Sequence, residues 1–143
     1  MKYNKSVLFL FMSLVTIGCH QSERSQQREK YVYNNGRDTI SVVLYLTDNA
    51  FQGSYKKCGP GGFKMTGDIS GEVQGDTLLG SLYYTPYKGR DKRRRAVALL
   101  KQNSDYILGN GNSSIYMGIP YFEIESLTFN GPILKADKSS QVD

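Results

Sequence analysis

The chain has no tryptophan, one histidine and two cysteines in 143 residues. The histidine, His20, lies in a polar stretch, so a Ser-His-Asp arrangement would need a residue on a tether. One histidine and one spare cysteine are too few soft ligands for a zinc site. No metal and no cofactor is expected. No apolar run reaches the roughly 20 residues that carry a helix across a bilayer, and no long helical period is present. The glycine-rich stretches "GPGG" and "GNGN" are not followed by a helix carrying lysine. They make no phosphate cradle and read as turns. No spacing of Asp and Glu singles out a glycosidase pair. Asp76, in "GDTL", reads as a turn residue. With no acid, base or nucleophile set in view, the expectation is a protein that is not an enzyme.

What is present begins at the N-terminus. Lys2 and Lys5 precede an apolar run over residues 7–17, which stops at Gly18-Cys19. This is the three-part layout of a secretory signal. The small residue followed by cysteine and a hydrophilic stretch resembles the lipobox of bacterial lipoproteins. Thr16 departs from it, because such motifs usually carry an aliphatic residue there. The resemblance implies a signal peptide over residues 1–18, with Cys19 acylated as the first residue of the mature chain. Two or more acyl chains anchor a protein stably. Residues 19–29 have no aliphatic or aromatic side chain to bury and read as a flexible tether. The address that follows is the outer membrane, facing the periplasm, with the membrane as a partner. The competing readings are an ordinary signal peptide with an unrelated cysteine, and a transmembrane anchor.

Positive charge is concentrated. Loss of Lys2 and Lys5 with the signal lowers the net charge from +5 to +3. Residues 88–95, "KGRDKRRR", hold six of the basic residues and one acid, and the rest of the mature chain is net negative. The domain thus has one basic loop and is not basic throughout. Cys58, read as opening the loop of residues 58–62, is left without a partner if Cys19 is acylated, so a Cys19–Cys58 disulfide is disfavoured.

Beyond the tether the chain reads as short strands punctuated by glycine. Ile40, Val42, Leu44 and Leu46 alternate with more polar residues, the period of a strand with one apolar face. Phe51, Gly53 and Tyr55 carry a return strand. Phe63, Met65, Gly67, Ile69, Gly71 and Val73 share a face of the next. "QGDT" is a hairpin turn, and Leu78, Gly80, Leu82 and Tyr84 share a face of the strand after it. Glycine on an apolar face marks a sharp bend or a close backbone approach, both of which occur in a barrel. Residues 95–101 read as a strand, with a short helix as the alternative. Residues 121–131 read as a strand with Phe122, Ile124, Leu127 and Phe129 inward and a bulge near Ser126. The tail over residues 135–143 is expected to fray. The fold class is all-β: a single antiparallel barrel or barrel-like meander of about 7–9 strands over residues 30–134, lipocalin-like in form.

The pattern also resembles a group of small, uncharacterised lipoproteins from Bacteroidota. The residues that carry the likeness are Gly36, Asp38, Thr39 and Ile40; Gly53 and Tyr55; and Gly67, Ile69 and Gly71. They continue with Gly75, Asp76, Thr77 and Leu78, then Arg95, Val97, Leu99 and Leu100, and end with Leu108, Gly109 and Gly111. The likeness covers residues 33–111. It implies an envelope address and a β fold, and no activity. The chain departs from the group in its arginine-rich loop and after Gly111.

Two features suggest a binding role. Tyr83, Tyr84 and Tyr87 crowd one strand end, and Tyr116 and Tyr121 flank another loop. Tyrosine at a barrel mouth joins an apolar face to a polar tip and suits a small amphipathic ligand. The plainer reading is cross-strand packing. Lys88, Arg90, Lys92, Arg93, Arg94 and Arg95 suit an acidic envelope partner, either a protein or a polymer such as a phosphate-bearing lipid or glycan. Nucleic acid is excluded by the address. The plainer reading of this run is a solvated loop. The leading expectation is therefore a lipid-anchored, non-enzymatic binding module for a small amphipathic ligand. The alternative is an interaction protein that works through the basic loop.

Overall fold

The computed structural model of the protein describes residues 27–140. The signal peptide, Cys19 and most of the tether lie outside the described residues. The strands are β1 (Arg28–Asn34), β2 (Thr39–Leu46), β3 (Ala50–Cys58), β4 (Lys64–Gln74), β5 (Thr77–Thr85), β6 (Arg93–Gln102), β7 (Asp105–Leu108), β8 (Ser113–Tyr116), β9 (Ile119–Phe122) and β10 (Ile133–Ala136). Eight of them close an antiparallel barrel in the order β1-β10-β7-β6-β5-β4-β3-β2, and β8 and β9 form a separate hairpin. The barrel is a meander through β7. The chain then leaves for the hairpin and returns as β10 to close the gap between β7 and β1.

Alternation decides which side chains enter the barrel. Ile40, Val42 and Leu44 of β2 are buried, as are Phe51 and Tyr55 of β3, and Met65 and Ile69 of β4. Leu78 and Leu82 of β5, Val97 and Leu99 of β6 and single residues from β1, β7 and β10 complete the core. Side chains from all eight strands thus occupy the interior, and Phe63 packs against them. An eight-stranded barrel is just wide enough for its own side chains to fill. A ligand inside the barrel would have to displace Met65, Leu78 and Leu82, so a binding site is to be sought on the outside.

Three glycines show why closure needs them. A Cβ on Gly53 would stand 1.8 Å from the Val43 carbonyl oxygen of β2. Gly71 and Gly80 face each other across β4 and β5, and a Cβ on Gly80 would stand 2.1 Å from the Ser70 carbonyl oxygen. At these points strongly coiled strands approach backbone to backbone, which only glycine allows.

Several boundaries differ from the sequence reading. Arg28 and Glu29 belong to β1 and not to the tether, because they pair with Tyr45 and Leu44 of β2. Lys135 and Ala136 belong to β10 and pair with β1, so the barrel extends past residue 134. The Lys30 ammonium lies 2.9 Å from the Asp137 carboxylate and holds the next residue down. That hydrogen bond, with others from Ser139, lowers the Asp137 carboxyl to about 2. Cys58 is the last residue of β3, paired with Lys64, and does not sit in a loop; it is a free thiol. Residues 95–101 are strand throughout. The expected strand over residues 121–131 is instead the end of β9, a 3-10 turn at Ile124–Ser126 and a single bridge from Thr128 to Asn110. Ile124, expected inward, is exposed. A glutamate on each side of it suits a turn at the surface.

Candidate functional site

Antiparallel pairing places the ends of β1, β3 and β5 and the starts of β2, β4 and β6 at one end of the barrel. The loops of residues 35–38, 59–63 and 86–92 lie there. This end gathers the arginine run, and also Arg37, Lys56, Lys57 and Lys64 from three other parts of the chain. Its described carboxylates are few: Asp38, Asp68 and Asp91. What reads in sequence as one basic loop is a basic barrel end. The three arginines are not loop residues, since Arg93, Arg94 and Arg95 open β6.

Strand alternation then splits the arginines between two faces. Arg95 stands opposite Leu82, and Arg93 opposite Tyr84, on the inward face. The Arg95 guanidinium lies 5.6 Å from the ring centroids of both Tyr55 and Tyr84, over the mouth of the filled core. Burial raises the Tyr55 phenol above its ordinary range, and the charge of Arg95 offsets part of that rise. Arg94 stands opposite Tyr83 on the outer face. Its guanidinium lies 5.2 Å from the Tyr83 ring, and the Lys92 ammonium 5.0 Å from it.

The loops are fixed by the same residue types. The Tyr87 hydroxyl donates to the Gly61 carbonyl at 3.0 Å, and its ring packs 5.2 Å from Phe63. Lys88 lies over Tyr87 at 5.3 Å, and Lys57 over Phe63 at 6.0 Å. The tyrosine cluster and the arginine run, two separate hints in the sequence, therefore form one surface. None of Lys88, Arg90, Lys92, Arg93, Arg94 and Arg95 makes an ion pair with a described carboxylate. Aromatic rings position Lys88, Lys92, Arg94 and Arg95 and leave their charge without a carboxylate partner among the described residues.

Tyr116 and Tyr121 do not join this surface as a barrel mouth. They lie on the β8–β9 hairpin, opposite Ile119 and Ser114. The hairpin crosses the outer face of β6 and β5. Pro120 is buried there, as are the outward Ala96 and Ala98. Between hairpin and barrel runs a groove of about 1070 Å³, lined by Ile119, Pro120, Tyr121 and Phe122 on one wall. Arg94, Ser81 and the bare backbone of Gly71 and Gly80 line the other, with Glu123 and Glu125 at the border. The groove was not legible in the sequence. Its one signal was the departure from glycine-punctuated strands after Gly111.

Among the described residues no group of three or more His, Cys, Asp or Glu is placed to hold a metal. Comparison with family models, curated proteins and solved structures finds no match.

Proposed function

We propose that the protein is a lipid-anchored envelope lipoprotein whose barrel is a non-enzymatic interaction module for an acidic partner. The observation that carries this reading is the set of arginines and lysines at one barrel end, of which Lys88, Lys92, Arg94 and Arg95 lie over tyrosine rings and none of the basic residues in 88–95 pairs with a described carboxylate. Uncompensated charge of one sign on a preordered surface raises the local concentration of the opposite sign and speeds encounter. The guanidinium fork suits phosphate and carboxylate oxygens. The signal-like first 18 residues, Cys19 and the resemblance to Bacteroidota lipoproteins support an outer-membrane, periplasm-facing address.

The test is titration with polyphosphate and with dextran sulfate at rising salt. Expected is binding that weakens as salt screens it. Replacing Arg93, Arg94 and Arg95 together with serine should reduce it by about tenfold or more. Equal affinity of the two proteins would count against the reading.

The outer groove favours a second reading, a small amphipathic ligand held by Ile119, Pro120, Tyr121 and Phe122 with Arg94 at the rim. Its volume is close to the upper end of small-molecule sites. Native mass spectrometry of the purified protein would show a stoichiometric small molecule if this is right, and a bare mass if not.

A further inference from the structure

The β8–β9 hairpin carries the two most exposed large apolar side chains of the described residues, and three others that are exposed. Met117 is 84% exposed, Ile115 73% and Tyr116 70%. Tyr116, Ile119 and Tyr121 share the hairpin face opposite to Pro120. Residues 107–122 contain no charged side chain. Contiguous exposed apolar surface of this kind marks an interaction site.

The turn adds a second observation. Met117 and Gly118 link Tyr116 to Ile119, with φ of 48° and 78°. Both central residues are in the left-handed region, the arrangement of a I′ turn, where Asn-Gly is preferred. Methionine enters that region at a conformational cost. In return the hairpin presents a flexible thioether chain at its extreme tip. A two-residue turn on a two-stranded hairpin is a narrow, convex shape with apolar flanks. It suits insertion into a soft interface better than burial against a flat protein face.

The third observation is charge. The hairpin rests on the outer face of β5 and β6, the same face that presents Tyr83, Lys92 and Arg94. Arg94 and residues 119–121 line one groove, with Glu72, Glu123 and Glu125 also on its walls, so the positive side of this face is the Tyr83 position, where Lys92 and Arg94 meet. An uncharged apolar finger with cations beside it is the composition of interfacial membrane anchors. Tyrosine suits the headgroup level, with its ring apolar and its hydroxyl wet.

We propose that the β8–β9 hairpin docks the barrel onto an anionic lipid surface. It inserts Ile115, Tyr116, Met117 and Ile119 into the interface and sets Lys92 and Arg94 against headgroup phosphates. This rests on the acidic-partner reading and names the partner as lipid. The finger also holds the domain in one orientation against the bilayer, which acyl chains at the end of a tether do not.

All eight barrel strands, their pairings and the buried core fall within residues 28–136, so residues 27–140 keep the fold without the acyl anchor. That fragment is mixed with phosphatidylcholine vesicles with and without phosphatidylglycerol. Expected is co-sedimentation with the anionic vesicles. The double substitution Met117→Asn and Ile115→Ser should lower partitioning by about tenfold or more while the thermal midpoint is unchanged or raised. Because the chain has no tryptophan, Met117→Trp gives a single reporter. Its emission should shift to the blue on binding and be quenched by brominated lipid. No binding to anionic vesicles, or equal binding by the double variant, overturns the proposal. So does concentration-dependent dimerisation without lipid that the double variant abolishes, since the occupant is then a second copy. If polyphosphate still binds when vesicles do not, this inference alone fails; if neither binds, the acidic-partner reading fails with it.

Discussion

Tyr83 and Arg94 stand directly opposite each other on β5 and β6, with the guanidinium 5.2 Å from the ring centroid. The pair links the two features that the sequence offers separately. A ring that holds an arginine by its face leaves the guanidinium edge free for an oxyanion. A carboxylate in the same place would have consumed it.

Replacing Tyr83 with leucine keeps bulk and removes the ring. Tyr83 is 41% exposed, so the expected loss of stability is small, within about 1 kcal/mol. Polyphosphate binding should weaken by a few-fold, because Lys92 and Arg94 both lose their positioning. Calorimetric titration beside a thermal melt separates the two effects. A variant that binds like the parent protein would show that the rings do not preorganise these cations.

Leu82 is fully enclosed. Leu82→Ala should cost about 2–5 kcal/mol, from lost transfer energy and the cavity left behind. Urea denaturation gives the number. A cost well under 1 kcal/mol would mean that the interior is loosely filled, and would restore a ligand inside the barrel.

Alkaline stability follows from the tyrosines of the core. Tyr31 and Tyr106 meet edge to face at 4.9 Å and 84°. Burial, with the negative charges of Glu29 and Asp76, pushes Tyr106 up to about 12. Burial and the hydrogen bond to Glu29 push Tyr31 higher still. In the unfolded chain both ionise near about 10. A raised folded-state value contributes stability that is fully present below about 10 and is lost as pH rises toward and past 12. Phenolate absorbance should therefore show Tyr31 and Tyr106 ionising together with loss of the far-ultraviolet strand signal. Replacing Tyr106 with phenylalanine should move that transition to higher pH.

Cys19→Ser in the full chain should abolish acylation, seen as loss of a metabolically incorporated fatty-acid label. The protein should leave the detergent-soluble membrane fraction unless its hairpin retains it. A label that persists on Cys58 or elsewhere would refute the lipoprotein reading.

Much of the barrel was legible because period-two alternation and glycine placement are local properties. The apolar faces of β2, β4 and β5 were readable residue by residue, and so were the hairpin turns between them. Glycines on those faces announced close backbone approach, and Gly53, Gly71 and Gly80 make it. Weak patterns were misread. Residues 113–122 gave no clear period, because a hairpin resting on another sheet buries only Pro120 fully, half-buries Phe122 and leaves its other large side chains exposed.

The sequence by itself determined the strands from β2 to β6 and their inward faces, since each depends on neighbours within a few residues. Only the tertiary structure decided what the functional hints amount to. Closure brought Lys56, Lys57 and Lys64 to the arginines, and register set Tyr83 against Arg94 and Tyr84 against Arg93. Strand alternation sent Arg94 outward and Arg95 over the core. The same closure filled the interior and moved the space for a ligand to the outer groove. These outcomes depend on pairing between residues distant in the chain, which no local pattern records.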